Sequence, residues 1–89
     1  MITTELVIIN KLGLHARAAA KLATTAGRFG CDCKLITKGK GVDCKSVMAL
    51  MLLAAAKGTE VTLQCSGKDE EAASQAIIEL INNRFDEDE

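Results

Sequence analysis

Apolar and polar residues alternate with a period of two over residues 2–9, setting Ile2, Thr4, Leu6 and Ile8 on one face of a strand rich in β-branched types. Over 16–26 the period becomes helical. Ala19, Leu22, Ala23 and Ala26 then share one stripe, and Gly27 ends it. The connecting loop, 10–14, contains Gly13. Alternation returns over 31–37, with Cys33 and Leu35 inward, and the run Thr37-Lys38-Gly39-Lys40-Gly41 turns the chain into a short strand at 40–43. Ser46 opens a second helix, expected to run to about residue 55 and to end at Lys57-Gly58. Residues 60–66 predict a strand with Val61, Leu63 and Cys65 inward, and Asp69 is placed to cap a last helix. Ala73, Ile77, Ile78, Leu80 and Ile81 form the stripe of that helix, which reaches about residue 84.

The order β-α-β-β-α-β-α predicts an α+β fold. It is a two-layer open-faced sandwich, a four-stranded, mainly antiparallel sheet covered on one face by three helices. Eighty-nine residues suffice for one core, so 1–89 is expected to be a single domain, with 85–89 a frayed acidic tail.

Composition narrows the classes of function. The two Phe are the only aromatic residues, which leaves no stacking platform for single-stranded nucleic acid. A net charge of −1 and a pI of about 5.8 point away from nucleic acid and anionic membranes. No signal peptide is read at the start, and the apolar run at 47–56 is too short to span a bilayer, so a cytoplasmic location is expected. Of the four cysteines, Cys33 and Cys65 lie on the apolar phase of strands, and Cys31-Asp32-Cys33 is C-x-C rather than C-x-x-C. Reduced, structural thiols and no metal site are the expectation.

The only histidine, His15, stands where the first strand hands over to the first helix. No Ser, Thr, Asp or Asn at 13–18 caps that helix, and its first turn carries no carboxylate. The unpaired N–H groups of Ala16, Arg17 and Ala18, together with the helix dipole, form a receptive site for an anion. An exposed imidazole in its neutral form is a competent nucleophile toward phosphorus. Arg17 is placed to clamp the resulting charge, and Gly13 to let a partner approach closely. With no carboxylate nearby in sequence, a hydrolytic triad or a general-base role is disfavoured. From spacing alone, an ordinary helix-start histidine beside a solvated arginine is the simpler account.

The run Gly13-Leu14-His15-Ala16-Arg17, followed by small residues and Lys21-Leu22, resembles the active-centre signature of the HPr family. These are the histidine phosphocarriers of the bacterial phosphoenolpyruvate-dependent phosphotransferase system. Lys45-Ser46-Val47-Met48 matches the family's regulatory serine motif, and the resemblance, including the Ala56-Lys57-Gly58-Thr59 turn, covers essentially the whole chain. It implies that His15 carries a phosphoryl group on Nδ1, assisted by Arg17, taken from phosphorylated enzyme I and passed to enzyme II A-components. Such a protein is a carrier without turnover of its own rather than an enzyme, and it needs no cofactor. One departure is Ala18, where the family usually has proline. Alanine is the better helix former and restores an N–H donor.

Ser46 is first an N-cap. In some bacteria the matching serine is also the target of an HPr kinase/phosphorylase, and phosphate there would weaken docking of an electronegative partner. The second helix is too apolar for one buried stripe. Leu50 and Leu53 are assigned to the core, while Val47, Met48 and Met51 are expected outside near His15. With Leu14, and with Lys21 and Lys45 at the rim, they form the expected docking surface of a monomer. Three alternatives stand beside this reading. One is a nitrogen-branch (NPr) carrier serving no sugar uptake, another is a purely interacting scaffold. The third is a small metal chaperone, whose thiolates would lie in the loop at 10–14, where this chain has none.

Overall fold

The computed structural model describes residues 1–87 of the chain. Four strands, β1 (Ile2–Val7), β2 (Asp32–Thr37), β3 (Lys40–Asp43) and β4 (Glu60–Ser66), form one sheet in the order β1-β4-β2-β3. Every neighbouring pair is antiparallel, with Leu6 opposite Val61, Cys33 opposite Cys65 and Leu35 opposite Leu63. The helices are α1 (Ala16–Gly27), α2 (Val47–Leu52) and α3 (Glu70–Asn82). This is the β-α-β-β-α-β-α sandwich that the hydrophobic pattern predicts.

Period-two alternation places Leu6, Ile8, Cys33, Leu35, Val61, Leu63 and Cys65 in the core, while Thr3, Glu5 and Lys34 remain exposed on the other face. Ala18, Ala19, Leu22 and Ala26 from α1 and Ala73, Ile77 and Ile81 from α3 meet that apolar face. Small side chains on α1 let the helix pack close. The four thiols are free and buried. Sγ of Cys33 lies 3.7 Å from that of Cys31 and 3.8 Å from that of Cys65. Burial pushes the Cys31 thiol up to about 12 and the Cys33 thiol up to about 11, and it also raises Cys44 and Cys65. No cluster of ligands able to hold a metal ion occurs among the described residues, and no helix there is long and apolar enough to cross a membrane.

Three sequence expectations are corrected. The second helix ends at Leu52 and not near residue 55, because the chain turns away through a positive φ of 54° at Ala54. Asp69 stands at the start of α3 but makes no capping bond. Its carboxylate instead accepts from the N–H groups of Gly30 (2.8 Å) and Cys31 (2.9 Å), tying the start of α3 to the entry of β2. Nor is the segment 85–87 frayed: Phe85 is fully buried, for an aromatic ring gains more from the core than the tail loses in freedom. Residues 88 and 89 of that expected tail lie outside the described residues.

Candidate functional site

His15 is the residue before α1, with extended backbone (φ −79°, ψ 178°), and its carbonyl accepts the first helical bond, from Ala19 N–H at 2.8 Å. Its side chain makes no capping bond, and the first turn holds no acidic residue. The N–H groups of Ala16, Arg17 and Ala18 precede the helix's own acceptors and have no partner among the described residues. Arg17 is exposed and makes no hydrogen bond or ion pair among those residues, whereas Ala18 is buried against the core. An exposed cation therefore adjoins three open donors, an arrangement suited to a dianion.

The imidazole is 27% exposed, and its Nε2 lies 2.6 Å from Glu87 Oε2. This contact corrects the expectation that no carboxylate adjoins His15. The partner lies 72 residues away in sequence, so no local spacing could reveal it. Asn10, fully buried in the loop before His15, donates from Nδ2 to Gly13 O (2.7 Å) and to Glu87 Oε1 (3.0 Å). Hydrogen bonding from Asn10, joined by that from His15 and by the charge of Lys21, holds the Glu87 carboxyl below the usual carboxylate range.

Glu87 reaches this position over a turn of unusual backbone. Arg84, Phe85 and Asp86 all have positive φ (54°, 53° and 63°), a conformation that costs an L-residue roughly 1–2 kcal/mol. The buried Phe85 ring anchors the turn, Lys21 Nζ donates to Phe85 O at 2.7 Å, and Asn83 Nδ2 donates to Asp86 Oδ1 at 2.8 Å. Lys21, expected at the rim of a docking surface, thus spends its ammonium on this turn. Asp86 Oδ2 lies 4.0 Å from the same ammonium.

Two loop residues play parts other than those expected. Gly13 has φ +66°, and a Cβ there would lie 2.6 Å from Ala55 O and 2.8 Å from Ala56 Cα. Its missing side chain admits the segment after α2 rather than a partner protein. Leu14, expected on the docking surface, is 5% exposed, so its apolar side chain belongs to the core, while its N–H bonds Ala55 O at 2.8 Å.

Ser46 precedes α2 and accepts from Ala49 N–H at 3.2 Å through Oγ, the geometry of an N-cap. Leu50 and Leu53 are buried, whereas Val47, Met48, Met51 and Leu52 are exposed, Met48 and Leu52 by more than two thirds. Lys45 donates to Phe29 O at 2.9 Å, which joins the approach to α2 to the end of α1. Helix α1 packs against α2, and the loop before α1 is joined to the segment leaving α2 by the Leu14 N–H bond to Ala55 O.

Comparisons with known proteins agree with this architecture. The family described as "PTS HPr component phosphorylation site" matches residues 2–83. The chain is 51% identical over 88 residues to phosphocarrier protein HPr of Xylella fastidiosa, covering 99% of each. It is 55% identical over 86 residues to phosphocarrier protein HPr of Pseudomonas aeruginosa, covering 96% of each. Phosphocarrier protein NPr of Shewanella violacea is more distant, at 41% over 83 residues, with 93% of this chain and 91% of that protein covered. The crystal structure of HPr-C-His from Thermoanaerobacter tengcongensis superposes with a TM-score of 0.96 over the full length of both chains, at 38% identity. With the fold, the signature around His15 and these relatives in agreement, the chain belongs to the HPr family of phosphotransferase-system phosphocarriers.

Proposed function

We propose that this protein accepts a phosphoryl group on His15 Nδ1 from phosphorylated enzyme I and delivers it to an enzyme II A-component. The observation that carries this reading is the uncapped start of α1, where the N–H groups of Ala16, Arg17 and Ala18 await an acceptor next to a nucleophilic ring. A phosphoryl group on His15 supplies that acceptor, and the exposed Arg17 guanidinium adds a charged contact. The start of α1 is thus suited to cradle a phosphoryl group.

The exposed side chains of Val47, Met48 and Met51 form the docking patch, because adaptable thioethers suit a surface that meets several partners in turn. Lys45, in the approach to α2, is exposed as well. Phosphate on Ser46 would add roughly two negative charges there without losing the oxygen that caps α2, so it would weaken docking and spare the fold. A monomer acting in the cytoplasm accords with this role. Higher identity to relatives named HPr than to the one named NPr favours the sugar branch over the nitrogen branch.

The test is direct. The protein is incubated with enzyme I, magnesium and phosphoenolpyruvate, and peptides are mapped by mass spectrometry under neutral conditions. An acid-labile phosphate on the peptide holding His15, absent in His15→Ala, is the expected result. A protein that stays unmodified overturns the reading.

A further inference from the structure

We propose that Glu87 is a positioning residue for phosphoryl acceptance, holding the proton of His15 on Nε2 so that the Nδ1 lone pair is free to attack phosphorus. This rests on the function proposed above and assigns a part to the far end of the chain.

The argument begins with valence. A carboxylate ionised at neutral pH has no proton to give and can only accept. At 2.6 Å from Glu87 Oε2, Nε2 must therefore be the donor, and in the neutral ring Nδ1 is then the bare nitrogen. Asn10 fixes the other carboxylate oxygen at 3.0 Å, and its own amide is oriented by Gly13 O at 2.7 Å. Both ends of the carboxylate are thus committed. The left-handed turn at 84–86, pinned by the buried Phe85 and by Lys21, brings it there at a cost in backbone strain that a free tail would not bear.

The chemistry uses this arrangement. As the P–N bond to the donor imidazole breaks, its electron pair returns to the donor's ring nitrogen, and the Nδ1 lone pair of His15 forms the new P–N bond. The donor ring leaves neutral when its other nitrogen holds a proton. His15 becomes an N-phosphoimidazolium that keeps its Nε2–H. Positive charge develops on the ring during attack, next to a carboxylate already in place, in the way that a buried aspartate supports the imidazolium of a hydrolytic triad. The neighbouring cations, Arg17 and Lys21, cannot supply this, since both would oppose charge on the ring.

The test compares the full-length protein with Glu87→Ala and the near-isosteric Glu87→Gln. In the unphosphorylated wild type, proton NMR of nitrogen-15-labelled protein is expected to show a slowly exchanging Nε2–H on the His15 ring and no proton on Nδ1. Glu87→Ala is expected to lose that signal. Its phosphorylation by enzyme I is expected to slow roughly 10- to 100-fold in kcat, the range in which partners that orient an imidazole act, with little change in KM. Glu87→Gln, which keeps an acceptor without the charge, is expected to fall between. Thermal unfolding reports any loss of fold in Glu87→Ala, in which case Glu87→Gln carries the comparison. Wild-type or faster phosphorylation in the folded variants, or an unchanged Nε2–H signal in Glu87→Ala, overturns the proposal. A wild type that takes no phosphate would sink the carrier role, while the NMR arm would still judge where the proton sits.

Discussion

A Cβ on Gly13 would stand 2.6 Å from the carbonyl oxygen of Ala55, closer than real Cβ contacts allow. The loop that presents His15 is thereby locked against the segment leaving α2, and the Leu14 N–H bond to the same carbonyl closes the junction. Gly13→Ala meets both this clash and a positive φ of 66°. The expected loss is about 1–2 kcal/mol from the left-handed backbone alone, with the clash added to it. Urea unfolding measures the change, and a fall within 0.5 kcal/mol of zero, the usual range for an unremarkable surface site, would contradict the contact.

Ser46 separates two roles that one residue combines. Ser46→Ala removes the Oγ acceptor for Ala49 N–H and is expected to cost about 0.5–2 kcal/mol in chemical denaturation. Ser46→Asp keeps an acceptor and places a negative charge at a helix start, so its stability should stay near wild type. If the serine also gates docking, phosphoryl transfer to Ser46→Asp should be slower in the enzyme I assay although the fold is intact. Equal transfer rates would leave Ser46 as a cap only.

Phe85 is the anchor of the left-handed turn and is fully buried. Phe85→Ala is expected to cost about 3–5 kcal/mol, a large share of a small domain's stability. Calorimetry should record a drop of many degrees, since about 1 kcal/mol corresponds to roughly 4–8 °C at this size. A melting temperature within a few degrees of wild type would mean that the ring leaves the core at little cost.

The thiols should be silent in the folded state. Burial raises all four, Cys33 to about 11, so little thiolate exists near neutral pH. Disulfide reagents at pH 8 should titrate none of them rapidly, and all four once the protein is unfolded. Prompt modification of Cys31 or Cys33 in the native protein would show that β2 opens at its start.

Acid should weaken the fold through carboxylates with lowered pKa. Asp69 is held down chiefly by the Gly30 N–H, Glu70 by the Gly67 N–H, and Glu87 by Asn10. A group whose folded pKa is depressed adds stability above its unfolded value, near 4, and loses it as pH falls through the folded one. Stability should therefore be level near neutrality and decline below about pH 4. Asp69→Asn, which cannot ionise, should flatten that decline. An acid limb as steep as that of wild type would remove Asp69 from the account.

The strands, helices and inward residues were legible because each element repeats with its own period. Val61, Leu63 and Cys65 could hardly face the core from any other register, and Leu50 with Leu53 followed from the same arithmetic on a helix. The open start of α1 was also legible, since capping is a local matter of which side chains stand within a few positions. What stayed hidden was every contact made at long range. Asp69 was read as a cap because Gly30 and Cys31, 39 and 38 residues away, could not be seen beside it. Leu14 looked exposed and Gly13 looked free because the chain after α2 had no place until the fold closed. Only the tertiary structure set Glu87 against His15. Alternation and composition carry no record of where a chain's last turn will pack, and that turn is held by a ring in the core and a hydrogen bond from another helix.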